Sequence, residues 1–174
     1  MGRSGRFLPD GGKAMTRVRV LVPLSAAAAK SGEHPGAGHR ELVALCLATG
    51  RSRGLAAVEV LTCAGAAETA RRLHEAAALA LPVVIDREAC ALGSPSVRDA
   101  LAQCQAPVIE VSPADAYLRA EHRRAAPCLT GTIGGFGLDS YRLALHAVAD
   151  WVTDTARADA PCFCSASVGA PCPR

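Results

Sequence analysis

Five short apolar runs, each followed by a longer stretch with helical spacing, constrain this chain more than any other feature. The runs are Arg17–Leu24 (RVRVLVPL), Ala57–Thr62 (AVEVLT), Pro82–Asp86 (PVVID), Pro107–Ser112 (PVIEVS) and Leu129–Gly135 (LTGTIGG). Their length and their Val, Ile and Leu content are those of strands. His39–Thr49 then places Leu42, Leu45 and Cys46 on one helical face. Ala67–Leu81 does the same with Leu73, Ala76, Ala77 and Ala80, and turns Arg71, Arg72 and Glu75 outward. A helix over Ser94–Gln103 opens on Ser94 as cap, with Pro95 in its first turn. Pro113–Arg124 is a short helix, and Leu138–Thr155 is a long one through Leu143, Leu145, Val148 and Trp151. Ser25–Gly38 has no period and reads as a loop. Strands alternating with helices require a parallel sheet, and right-handed crossovers lay helices on both of its faces. The prediction is a five-stranded, doubly wound α/β domain.

Composition narrows this further. Half of the 174 residues are apolar but only 3% are aromatic, so Val, Leu, Ile and Ala must build the core. Helices packed on a sheet suit that composition better than an aromatic-rich sandwich. Residues 1–15 read as a floppy extension or an over-long start before Met15, residues 16–156 as the domain, and residues 157–174 as a disordered tail. A formal charge of +3 gives no reason to expect nucleic acid. No apolar run approaches a membrane span. The eight cysteines form no CxxC pair and no Cys/His ligand pattern. They read as free thiols that hold no metal, which implies a reducing compartment and a cytoplasmic protein.

In such a fold, ligands sit beyond the carboxyl ends of the strands. The loop Ser25–Gly38, the segment Arg87–Gly93 and the Ser112–Ala116 turn would meet there. RLHEA (Arg72–Ala76), SVRDALAQCQAPVIEV (Ser96–Val111) and GGFGLDSYRLAL (Gly134–Leu145) resemble three successive blocks of the type II 3-dehydroquinate dehydratases, in that family's order and near its spacing. The resemblance covers about residues 17–152. It implies a flavodoxin-like fold, a homo-oligomer (a trimer, usually packed into a dodecamer), and the cofactor-free trans-dehydration of 3-dehydroquinate to 3-dehydroshikimate. It also implies a Tyr base on the loop after the first strand, activated by an Arg. An Asn would hold a water against the enolate, and a His after the fourth strand would be the general acid. A second His and an Arg would grip the substrate. Acid and base must flank the ring and differ in pKa.

Carried over position by position, most of these groups are replaced. The first loop reads SAAAAKSGEHPGAG, with neither Arg nor Tyr, and the Tyr position falls near Ala37. The Asn position is Asp86, the second-His position is Leu92 and the general-acid position is Ser112. Pro113 and Ala114 stand where backbone groups hold the substrate, and Pro113 has no N–H to offer. Glu110 matches the acid that orients the general-acid His. Asp99 matches an Asp that reaches a neighbouring subunit's site. Arg119 and Arg123 match two arginines of the helix after strand four, and Arg123 the substrate-binding one.

Each position also has a structural reading. Arg123 is either a bidentate grip on a carboxylate or an exposed helix residue paired with Glu121 or solvent. Glu110, without its His, can bond Ser112 or an Arg. Asp99 reads as an interface or helix-surface residue. His34, His39, Asp86, Cys90 and Tyr117 are each chemically able to replace a lost base, provided that they come within hydrogen-bond reach of a substrate. The run Gly131, Gly134, Gly135, Gly137 lacks Rossmann spacing and reads as a bulged strand end. General acid and general base each contribute roughly 10²–10⁴-fold, so losing both leaves little dehydratase activity. The expectation is a family member with weak or no turnover, or a non-catalytic paralogue that binds a small carboxylate or serves as an oligomeric scaffold.

Overall fold

The structure, a computed structural model, describes residues 16–24, 30–31, 34–35, 37–90, 94–113 and 129–158. Five strands, β1 (Arg17–Pro23), β2 (Ala57–Cys63), β3 (Val83–Asp86), β4 (Val108–Ser112) and β5 (Gly131–Gly134), form one sheet in the order β2-β1-β3-β4-β5. Every pairing in it is parallel. This is the flavodoxin-like order, with its reversal at β1 and β3.

Among the described residues, four helices longer than a single turn flank the sheet: α1 (Ala37–Ser52), α2 (Ala66–Ala78), α3 (Pro95–Ala102) and α4 (Asp139–Ala158). Strand parity separates two cores. On one face Leu21, Val83, Ile85 and Val108 pack with Leu73 and Ala76 of α2 and Val97 and Leu101 of α3. On the other, Val18, Val20, Val22, Val84, Ile109 and Val111 pack with Leu42 and Cys46 of α1 and Tyr141, Leu145 and Val148 of α4. Fully burying one such Leu or Val side chain contributes about 1.5–3 kcal/mol. α1 lies so close to β2 that a Cβ at Gly50 would sit 2.4 Å from Val58 Cγ2.

The sequence reading needs correction at several boundaries. Within the expected loop Ser25–Gly38, Lys30–Ser31 pairs antiparallel with His34–Pro35. α1 begins at Ala37, two residues before the expected start, because its first turn, Ala37 to Arg40, carries no large apolar side chain to mark the period. The segment after β3 is a helical turn, Arg87–Cys90, started by Asp86: its Oδ1 accepts the Glu88 N–H at 2.8 Å, as a helix cap does. α2 stops at Ala78 instead of Leu81. The N–H of Ala80 bonds the Ala77 carbonyl and that of Leu81 the Ala76 carbonyl, with Ala80 at a φ of 49°. This is a Schellman ending built on alanine. α4 runs on to Ala158, past the expected start of the tail. The extension 1–15 and the helix expected after Pro113 lie outside the described residues, apart from Pro113 itself.

Candidate functional site

The carboxyl ends of β1, β3, β4 and β5 meet at one edge of the sheet, at Pro23, Asp86, Ser112 and Gly134. Register brings Asp86 opposite Val111 and Ser112 opposite Gly134. The loop after β5 closes over the end of β4. Gly135 N–H donates to the Ser112 carbonyl and Gly137 N–H to the Pro113 carbonyl, both at 3.0 Å. Gly135 and Gly137 do so at φ of 83° and 55°, where a side chain would be strained. The last carbonyl of β4 and the one after it are therefore taken up by backbone.

Two buried acids stand at this edge, on opposite faces of the sheet. Asp86 follows Val84 in parity and faces α1 and α4. The Tyr141 hydroxyl donates to Asp86 Oδ2, and the Glu88 N–H holds Oδ1. Burial raises the Asp86 carboxyl above its usual range, against the pull of those two hydrogen bonds. Burial, then the Asp86 charge, pushes the Tyr141 phenol far upward, so it remains a neutral donor. Burial likewise pushes the neighbouring Cys46 thiol up to about 12, which makes it a poor nucleophile.

Glu110 follows Val108 in parity and faces α2 and α3. It is fully buried, and of the partners open to it the structure supplies Arg87. Arg87 Nε donates to Glu110 Oε1 at 2.6 Å, and Arg87 Nη2 lies 2.5 Å from the same oxygen. Glu110 Oε2 is buried with no hydrogen-bond partner among the described residues. The turn that carries Arg87 is fixed a third time by Thr69 of α2, whose hydroxyl donates to the Ala89 carbonyl at 3.0 Å.

Thus the edge gathers Asp86, Glu110, Ser112 and Pro113 from the expected set, and adds Arg87 and Tyr141. Ala37 is the first residue of α1, and not part of the loop where the sequence put it. Asp99 is exposed on α3, one helix removed from the strand ends. Leu92, Ala114, Arg119, Arg123 and Tyr117 lie outside the described residues, as do the side chains of His34 and Cys90. His39 sits in the first turn of α1, its Nδ1 buried without a partner among the described residues. Among those residues, no group of three His, Cys, Asp or Glu could hold a metal, and no helix is long and apolar enough to cross a membrane. Sequence reasoning passed over Arg87 and Tyr141, although each carried a signal. Arg87 is a charge directly abutting an apolar strand. Tyr141 shares the helical face of Leu145 and Val148, and a buried phenol needs a partner for its hydroxyl.

A family model described as dehydroquinase class II matches residues 37–149. The chain is 42% identical over 114 residues to a 3-dehydroquinate dehydratase of Salinispora tropica, covering 64% of this chain and 79% of that one. It is 38% identical over 120 residues to the enzyme of that name from Mycobacterium tuberculosis, covering 67% and 81%. Among solved structures, the type II dehydroquinase of Propionibacterium acnes superposes with a TM-score of 0.66 at 32% identity, over 78% of this chain and 98% of that one. A 3-dehydroquinate dehydratase-like protein from Bifidobacterium longum superposes at 0.62 and 31% identity, over 80% and 99%. With the strand order and the blocks at Arg72–Ala76, Ser96–Val111 and Gly134–Leu145, these matches settle descent: the chain belongs to the type II dehydroquinase family.

Proposed function

We propose that this family member binds a small carboxylate at the carboxyl edge of its sheet and dehydrates 3-dehydroquinate weakly or not at all. The observation that carries this reading is the pairing of Glu110 with Arg87. In the relatives' pattern the acid at this position orients an imidazole that gives up a proton. Here its partner is a guanidinium, which remains protonated at any working pH and cannot serve as an acid. Ser112 offers only a hydroxyl, a far weaker acid than an imidazolium. Asp86, in the position of the family's Asn, has each carboxylate oxygen already accepting a hydrogen bond, from Tyr141 and from Glu88. Missing acid and missing base together correspond to a loss of roughly 10⁴–10⁸ in rate, taking each at 10²–10⁴.

The test is direct. On adding 3-dehydroquinate, the enone absorbance of the product should rise no faster than about 10⁻⁴ of an ordinary turnover number, taken as roughly 10 s⁻¹. Turnover at ordinary rates would overturn the reading. Restoring Leu92→His and Ser112→His, with a Tyr grafted into the 31–38 loop and Arg87→Ala to free Glu110, should raise the rate.

A further inference from the structure

We propose that the C-terminal segment of this chain folds back along α4 as an extended strap and lays a row of small apolar side chains on the stripe Leu143, Ala147 and Trp151.

The three stripe residues are four positions apart, so they stand above one another on one flank of α4. The core-facing side of the helix is a different one, taken by Tyr141, Leu145 and Val148. Trp151 is 40% exposed, Ala147 is exposed and Leu143 is half-buried. Asp150, three residues on from Ala147, accepts a hydrogen bond from Arg53 just beyond the end of α1. The stripe therefore borders the seam between α1 and α4.

Residues 159–174 lie outside the described residues. They leave from Ala158, the last residue of α4, seven residues beyond Trp151. Their even positions from 160 to 172 read Ala, Cys, Cys, Ala, Val, Ala and Cys. The odd positions between them read Pro, Phe, Ser, Ser, Gly and Pro. A period of two is the pattern of an extended segment with one apolar side. Only Asp159 and Arg174 are charged in this segment, which is not the make-up of a chain kept in solution by its charge.

Two spacings then agree. Four residues of helix rise about 6 Å, and two residues of extended chain advance about 6.6 Å. A strap antiparallel to α4 therefore sets successive even positions against successive members of the stripe. Trp151 lies about 10 Å back from the end of the helix. With the reversal made at residues 159–161, Cys164 arrives opposite Trp151, Ala166 opposite Ala147 and Val168 opposite Leu143. Pro161 suits the reversal, since it cannot prolong the helix. The tether holds the strap at an effective concentration on the order of mM, so weak contacts suffice. A second copy of the chain would have to reach the stripe without that advantage.

Trp151 is the chain's single tryptophan, so its fluorescence reports on the stripe alone. The full chain is compared with Ala166→Asp, which puts a charge in the apolar row, and with Ser165→Asp, which puts the same charge on the opposite row. Both positions lie beyond α4, the last described element, so the melting temperature should hold in each variant. Under reducing conditions, Ala166→Asp should raise acrylamide quenching of Trp151 about twofold and shift its emission to the red, as for an indole losing apolar cover. Ser165→Asp should leave both readings at the parent's values. Unchanged quenching in Ala166→Asp, or equal effects of the two variants, would overturn the proposal. So would protection of Trp151 that grows with protein concentration, which would give the stripe to a second copy. None of these readings depends on turnover or on a ligand at the sheet edge.

Discussion

Asp86 and Glu110 are both acids buried at the same edge of one sheet, and they are held in opposite ways. Asp86 faces α1 and α4 and meets only neutral donors, the Tyr141 hydroxyl and the Glu88 N–H. Glu110 faces α2 and α3 and meets a full positive charge on Arg87. The first arrangement leaves the burial of the carboxylate uncompensated, and the Asp86 pKa rises accordingly. The second compensates charge with charge, but leaves one oxygen without a donor among the described residues.

Breaking the charged side should have the larger effect. Arg87→Met strands the Glu110 carboxylate in the core, and an orphaned buried charge costs about 3–5 kcal/mol. Adding Glu110→Met should recover most of the loss in urea unfolding, because two apolar groups need no partners. If the single variant costs no more than the next one, the contrast between the two acids fails.

On the neutral side, Tyr141→Phe removes one donor without stranding a full pairing. The expected loss is about 1–3 kcal/mol, read from the same unfolding curves.

The smallest change is Asp86→Asn, and its direction depends on pH. The folded Asp86 carboxyl binds its proton at higher pH than the unfolded chain does, whose carboxyl titrates near about 3.9. Its contribution to stability is therefore complete below the unfolded pKa and is lost as pH rises through the folded one. The variant does not titrate, so its stability relative to the parent should increase with pH across that window. Melting curves at successive pH values from the acid range to neutrality check this, and a flat difference would remove the distinction drawn for Asp86.

Much of the fold was legible because its signals are local. The five strands came from runs such as PVVID and PVIEV, and the doubly wound order followed from β–α alternation and crossover handedness. The candidate edge followed from where such folds place ligands, which brought Asp86, Glu110, Ser112 and Pro113 to it. The pairings were not legible. Arg87 meets Glu110 because β3 and β4 are neighbours in register, so that residues 85, 87 and 110 share a face; 23 positions separate the two in sequence. Helical spacing marks Tyr141 as inward but does not identify Asp86 as the group its hydroxyl reaches. The turn Arg87–Cys90 is too short for a period, and only its cap, Asp86, signals it.

One small joint leads into the strand that carries Asp86. Between α2 and β3 the chain reverses through Ala80, an alanine in a left-handed conformation that a residue with a side chain disfavours by about 1–2 kcal/mol. Three backbone bonds across the helix end, from the N–H groups of Leu79, Ala80 and Leu81, hold the reversal closed. Three residues downstream begins the strand that delivers Asp86 and Arg87. The strand that delivers both groups is thus entered through a backbone turn that an alanine makes at a cost, while its place between β1 and β4 holds it in position.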